Sequence, residues 1–310
     1  MGMNPITALL SALGVLTAVY IAGWARAVAA VRGLVGREPS PATDARFPTV
    51  PMIGLGFVTN FFDALGIGSF ATSTAAFRLL KMVPDRVIPG TLNAGHTLPT
   101  VAQAFIFTSV IPVDVLTLLS MIAAAVLGAW LGAGVVAHWP KRKVQVGMGL
   151  ALLAAAGFML MKQYGVFPAG SDEIGVRGVM LVVAITGNFV LGALMTLGIG
   201  LYAPCMVLVS MLGMSERTAF PIMMGSCAFL MPVGSLRFIR EQSYSLRVAL
   251  GLAIGGVFGS IVAGVWVKSL ELRTVRWLVI AVVIYTAVTM LVAAMSDSRS
   301  EEPTAARARV

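Results

Sequence analysis

The residues that could do chemistry cluster in two short stretches of otherwise apolar sequence. The first runs Asp63-Ala64-Leu65-Gly66-Ile67-Gly68-Ser69-Phe70-Ala71-Thr72-Ser73-Thr74, and the second Gly198-Ile199-Gly200-Leu201-Tyr202-Ala203-Pro204-Cys205. Two glycines one residue apart interrupt a helix, because glycine loses the most conformational freedom there and accepts the angles of a break. A helix that restarts after the break exposes unpaired N–H groups and about half a positive charge. Two such starts facing each other would seat a small anion without a fixed cation. Ser69, Thr72, Ser73 and Thr74 place hydroxyls at the first restart, where they either cap their own backbone or contact a ligand. In the second stretch Pro204 suits a first helical turn, where its missing N–H is no loss. Tyr202 and Cys205 are candidates for the opposite wall; otherwise Cys205 packs as a small hydrophobe.

Asp63 stands inside an apolar run, three residues before Gly66. An ionised carboxylate at the centre of a bilayer costs about 3 kcal/mol on insertion scales, so such a residue is a functional candidate by default. Asp63 either carries a coupling proton, steadies the glycine break, or is a structural acid paired with Asn60 one turn away. His96 lies in TLNAGHTLPT (91–100), with Asn93, Thr97 and Thr100 on one broad face at three- and four-residue spacing. Histidine titrates in the physiological range, so His96 is the second candidate for proton coupling or anion contact; the alternative is a histidine bonded between helices. Asn93 joins the substrate-binding candidates. Pro99 bends this segment or frees a carbonyl.

These groups must be positioned by membrane-spanning helices. The chain has 310 residues, of which 58% are hydrophobic and only 11% charged. A water-facing domain carries about 25% charged residues. At about 20 apolar residues per crossing, the composition supplies about nine spans. Each backbone polar group in hydrocarbon must be paired, which leaves helices or closed barrels, and runs such as MIAAAVLGAW lack the alternation of a barrel strand. The expectation is an all-α, polytopic helical membrane protein, multi-pass in a cell membrane of the plasma or inner type. Spans fall at 6–30, 50–83, 88–110, 115–138, 144–163, 178–213, 218–238, 248–267 and 277–295, the second and sixth long and interrupted. The net charge of +9 lies mostly between spans and orients the protein; it does not point to nucleic acid.

The chain repeats itself. With a shift of 132 residues, GFVTNFFDALGIGSFA (56–71) lies over NFVLGALMTLGIGLYA (188–203), and ten of the 36 positions from 54 to 89 are identical. Gly66-Ile67-Gly68 falls on Gly198-Ile199-Gly200. Farther on, the region of Gly128 resembles that of Gly259, and both carry small faces for close helix packing. If each long segment crossed the membrane once, the 22 Lys and Arg would divide almost evenly between the two sides. If each enters, breaks and returns, sixteen lie on one side and six on the other, as the positive-inside rule requires. The second arrangement makes the halves inverted-topology repeats, each opening with a glycine-interrupted re-entrant or broken helix. The organisation is then an N-terminal helix and linker (1–48), a first repeat (49–163), a connecting loop (164–177), a second repeat (178–295) and a polar, disordered tail (296–310). PKRK (140–143) is expected to be a tight basic turn.

The motifs together resemble the TauE/SafE family of sulfite exporters and related permeases. The resemblance rests on the Gly-Ile-Gly that opens each half, on the Gly-Thr of VIPGTLNAG (87–95), and on GAWLGA (128–133) before a Pro-basic turn; it covers about 50–295. By position it implies roles for Gly66, Gly68, Gly90, Thr91, Gly198, Gly200 and Pro204. It implies carriage of sulfite, an organosulfonate or another small sulfur-containing or organic anion. The chain departs from the family pattern where Ser69-Phe70 and Leu201-Tyr202 replace further glycine, and where Thr72 replaces proline.

The expected function is a secondary transporter that moves a small anion by alternating access at two opposed helix breaks, with protons as the candidate coupling ion. A non-transporting membrane assembly or scaffold subunit is the alternative. There is no Walker-type loop, no HExxH, no CxxC and no carboxylate pair, so neither an enzyme, a cofactor nor a bound metal is expected.

Overall fold

The computed structural model describes residues 4–32, 41–66, 68–136, 141–164, 172–195, 201–269 and 272–307. Apart from one isolated bridge between Glu173 and Met214, regular structure among these residues is helical. The helices are α1 (Pro5–Arg32), α2 (Val50–Ala64), α3 (Ser69–Leu79), α4 (Ile88–Val110), α5 (Val115–Val136), α6 (Lys141–Gln163), α7 (Gly178–Met195), α8 (Tyr202–Met211), α9 (Ala219–Arg240), α10 (Leu246–Ser269) and α11 (Leu272–Arg307). Four helical stretches, Pro5–Ala30, Gly178–Met195, Glu216–Arg240 and Leu246–Trp266, are long and apolar enough to cross a membrane. Large apolar side chains such as Val19, Trp130, Val182 and Val265 remain exposed on them and on α5. An aqueous surface rarely tolerates that much apolar area, whereas lipid does. The chain is a helical membrane protein.

The starts of α2 to α6 (50, 69, 88, 115, 141) recur in order in α7 to α11 (178, 202, 219, 246, 272), and a short 3-10 turn precedes both α4 and α9. Packing crosses between the two sets. α2 lies on α10 and α5 on α7; α4 meets α9 and α10; α9 meets α5; α6 pairs with α11. Glycine decides how close these pairs come. A methyl group on Gly259 of α10 would sit 2.2 Å from the Phe57 carbonyl oxygen of α2. One on Gly128 of α5 would sit 1.9 Å from the Phe189 carbonyl oxygen of α7. Small residues at such crossings let backbones approach, and dispersion then supplies the attraction that water would supply elsewhere.

α4 and α9 form the interior. Phe107 and Phe220 stack between them at 5.3 Å. α4 is not among the four apolar stretches, because it carries Thr91, Asn93, His96, Thr97, Thr100 and Gln103; of these only Asn93 is not fully buried. α1 packs outside, held by Tyr20, whose hydroxyl donates to the Ala94 carbonyl (3.0 Å), and by Trp24, whose Nε1 donates to the Tyr244 hydroxyl (3.2 Å).

Two local expectations change. Lys141 to Lys143 belong to α6 and not to a turn. The tail is not irregular through its described residues, since α11 continues to Arg307. Residues 308–310, Pro140 and residues 165–171 of the central loop lie outside the described residues.

Candidate functional site

The site begins where α2 stops. Gly66 N–H returns to the Asp63 carbonyl at 2.8 Å, and the backbone then passes through positive φ at Gly66 (94°) and Gly68 (85°). An L side chain is strained at both angles. A methyl group on Gly66 would also press into Met206 of α8, whereas beside Gly68 the space is open. α3 restarts at Ser69. Its first N–H donates to Asp63 Oδ1 at 2.6 Å, so the carboxylate reaches over the gap and seats on the start of the next helix. That is the favourable place for a negative charge.

Two further donors hold Asp63 Oδ2. Gln103 of α4 gives its Nε2 at 3.0 Å, and Tyr202, the first residue of α8, shares its single hydroxyl proton between Asp63 Oδ2 at 3.4 Å and Gln103 Oε1 at 3.3 Å. Gln103 Nε2 also contacts Ser260 Oγ of α10 at 3.0 Å. Asp63 is 3% exposed, and no Lys or Arg forms an ion pair with it among the described residues. A buried anion without a cation is tolerable only when its lone pairs are met by donors; here they come from α3, α4 and α8.

His96 occupies a second node. Its Nδ1 lies 3.1 Å from Asn60 Oδ1, and its Nε2 lies 3.0 Å from Ser73 Oγ. Asn60 Nδ2 donates to the Gly56 carbonyl at 2.8 Å, which identifies Oδ1 as the acceptor. The bonding pattern therefore assigns the ring proton to Nδ1 and makes Nε2 the acceptor of the Ser73 hydroxyl. Phe70 leans on the imidazole at 5.8 Å. This node ties α2 to α3 through α4 and braces the gap from its other side.

The remaining candidates divide. Thr72 and Thr74 donate back to carbonyls of the preceding turn: Thr72 to Gly68 and Ser69, and Thr74 to Phe70. Thr91 accepts the Ser245 N–H at 2.8 Å and so caps the approach to α10. Gly90 beside it lies against the Ser243 carbonyl. Both residues dock the α9–α10 connection and are not brought to Asp63. Asn93 bonds the Pro89 carbonyl of its own helix. On the second half, Tyr202, Pro204 and Cys205 are buried in the first turn of α8, whose N-cap residue Leu201 supplies no side-chain cap. Gly198 and Gly200 lie outside the described residues.

Gln103 and Ser260 were not among the sequence candidates. Gln103 was detectable, since it stands seven residues after His96 on the same polar face of α4. Ser260 follows the packing glycine Gly259 and gave no signal. Asn188 was also missed: its Nδ2 donates to the Met121 carbonyl and to Ser226, while its buried Oδ1 has no hydrogen-bond partner among the described residues. Comparison with protein-family models, with curated proteins and with solved structures gives no match.

Proposed function

We propose that the chain is a secondary transporter for a small anion, of the class of sulfite, short organosulfonates or other small organic anions. The single observation that carries this reading is the set of donors gathered on Asp63. The Ser69 N–H, the Gln103 amide and the Tyr202 hydroxyl already hold an anionic carboxylate away from bulk water. The same donors suit a ligand carboxylate or sulfonate. Next to them the start of α8 offers backbone N–H groups with no side-chain cap from Leu201, and open space lies beside Gly68. An oxyanion entering there meets the positive ends of α3 and α8 together.

The pairing of the halves supports alternating access by an inverted repeat. The contacts α2–α10 and α7–α5 exchange when the halves are exchanged, as do the glycine–carbonyl approaches Gly259–Phe57 and Gly128–Phe189. The uneven Lys and Arg distribution favours opposite orientation of the halves. Rocking of one set of helices on the other would expose the Asp63 cradle to either side in turn. The resemblance of the glycine motifs to TauE/SafE permeases agrees with this.

The test is uptake of labelled sulfite, thiosulfate, sulfoacetate, taurine and lactate into liposomes containing only this protein. Saturable uptake with counterflow of at least one anion is expected. Flux of none, with no ligand-induced rise in melting temperature, would leave an assembly subunit as the better reading.

A further inference from the structure

We infer that Asp63 is a built-in stand-in for the transported anion, and that each anion bound at the cradle requires one proton on the Asp63 carboxylate. The inference rests on the transporter reading above and names the coupling that this site imposes.

Three observations carry it. First, the carboxylate already occupies the start of α3 and collects three donors there: one backbone N–H, one amide and a phenol it shares with Gln103. Second, that charge has no paired cation among the described residues. Tyr202 of α8 donates to it and Cys227 of α9 lies within its field, and His96 on α4 and Cys205 on α8 are the other titratable groups in the middle of the neighbouring helices. α3 and α10 bring Ser69 and Ser260, and α2 brings no other titratable side chain. The cations of these helices, Arg78 on α3, Arg237 and Arg240 on α9 and Arg247 and Lys268 on α10, stand toward helix ends in the sequence, and none is paired with Asp63 among the described residues. Third, Tyr202 is at once a donor to Asp63 and the first residue of α8, so an anion on that helix start is a close neighbour of the carboxylate. At an effective dielectric of about 20, two like charges about 6 Å apart weaken binding on the order of a hundredfold.

A proton removes the conflict. The carboxylate takes up one proton from the aqueous side and becomes a carboxylic acid. It gives up its claim on the Ser69 N–H and gains an O–H that donates to the incoming anion. When the anion leaves, the proton leaves with it and the carboxylate returns to its donors. Proton and anion therefore move in the same direction. His96 is not the carrier. Both of its ring nitrogens are engaged by the neutral groups of Asn60 and Ser73, and its place is to tie α2 to α3 across the gap; it is a positioning residue.

The experiment uses the full-length protein in liposomes, with a labelled short alkanesulfonate that stays fully ionised from mildly acidic to mildly basic pH. The membrane potential is clamped and an inward proton gradient imposed. The wild-type protein is expected to concentrate the sulfonate. Asp63→Asn, which keeps an acceptor for the Ser69 N–H but cannot take up the proton, is expected to lose proton-driven concentration. His96→Gln is expected to keep proton-driven concentration. Proton uptake on sulfonate binding to the detergent-purified wild type, read with a pH indicator, gives the answer independently of any variant; one proton per anion is expected. Binding without proton uptake, or undiminished concentration by Asp63→Asn, overturns the inference and leaves the transporter reading intact. Absence of any anion flux or binding in the wild type overturns both.

Discussion

The carboxylate of Asp63 and the backbone N–H of Ser69 meet at 2.6 Å across the gap between α2 and α3. A residue of one helix thus caps the next. The two glycines between them, at positive φ, let the chain fold back far enough for that bond to form. Break and buried charge are one device: the glycines give the carboxylate its seat, and the carboxylate satisfies the helix start that the glycines create.

Gly68→Ala is expected to lower stability by roughly 1–2 kcal/mol through backbone strain alone, because, chain neighbours aside, none of the described residues comes within 4 Å of the new methyl. Gly66→Ala is expected to lower it further, since Met206 must also move. Thermal unfolding in detergent checks the order; equal and negligible effects would show that the positive φ angles are not required.

The close crossings make a second prediction. Gly259→Ala and Gly128→Ala each drive a methyl into a backbone carbonyl, of Phe57 and Phe189 respectively. Each is expected to cost about 1–3 kcal/mol, and the two by similar amounts. Gly147→Ala and Gly157→Ala on α6 meet open space. They are expected to be neutral, or more stable by about 1 kcal/mol or less from helix propensity. Melting temperatures of the four variants decide it.

Tyr202→Phe removes only the hydroxyl that links Asp63 and Gln103 to the start of α8. Because that bond is long, folding should survive, with a loss of at most about 1 kcal/mol. Anion uptake should show a raised KM with a smaller change in maximal rate. An unchanged KM would remove Tyr202 from the site.

His96→Ala leaves Asn60 Oδ1 and the Ser73 hydroxyl without their buried partner. A destabilisation of about 1–3 kcal/mol is expected. His96→Gln, which can both donate and accept, should recover much of it. Failure of glutamine to rescue, measured by the same melts, would point away from a bracing role.

A pH dependence is expected at the start of α5, outside the apolar spans. Asp114 accepts the Thr117 N–H at 2.8 Å as the N-cap, and Arg177 meets both of its oxygens at 2.6 Å. The Arg177 guanidinium beside it, ahead of the Thr117 bonds, holds the Asp114 carboxyl well below the usual carboxylate range. With the folded value depressed, the stabilisation is fully present above the ordinary carboxylate pKa near 4. It is lost as pH falls through the folded value. Asp114→Ala should therefore destabilise at neutral pH by about 1 kcal/mol, chiefly through the lost cap. The difference from wild type should shrink only in strong acid. A difference that stays constant with pH would contradict it.

Composition and periodicity alone determined that this chain is a bundle of apolar helices. They also singled out Asp63 and His96 as polar groups within apolar segments. Those properties are legible because hydrocarbon allows few structures and because glycine pairs, long apolar runs and a lone charge are local features. Which groups meet was decided only by the tertiary structure. Thr72 and Ser73 look alike in sequence, yet one bonds its own helix and the other bonds His96. Thr91, next to Gly90, accepts the Ser245 N–H of the α9–α10 connection. Gln103 and Tyr202 reach Asp63 from other helices, Tyr202 from the opposite half of the chain. Sequence spacing fixes which face of a helix a side chain takes, but the donor that a buried oxygen finds depends on how two faces cross. That crossing is set by backbone approaches such as Gly259 to Phe57, far from the oxygen they bring into place.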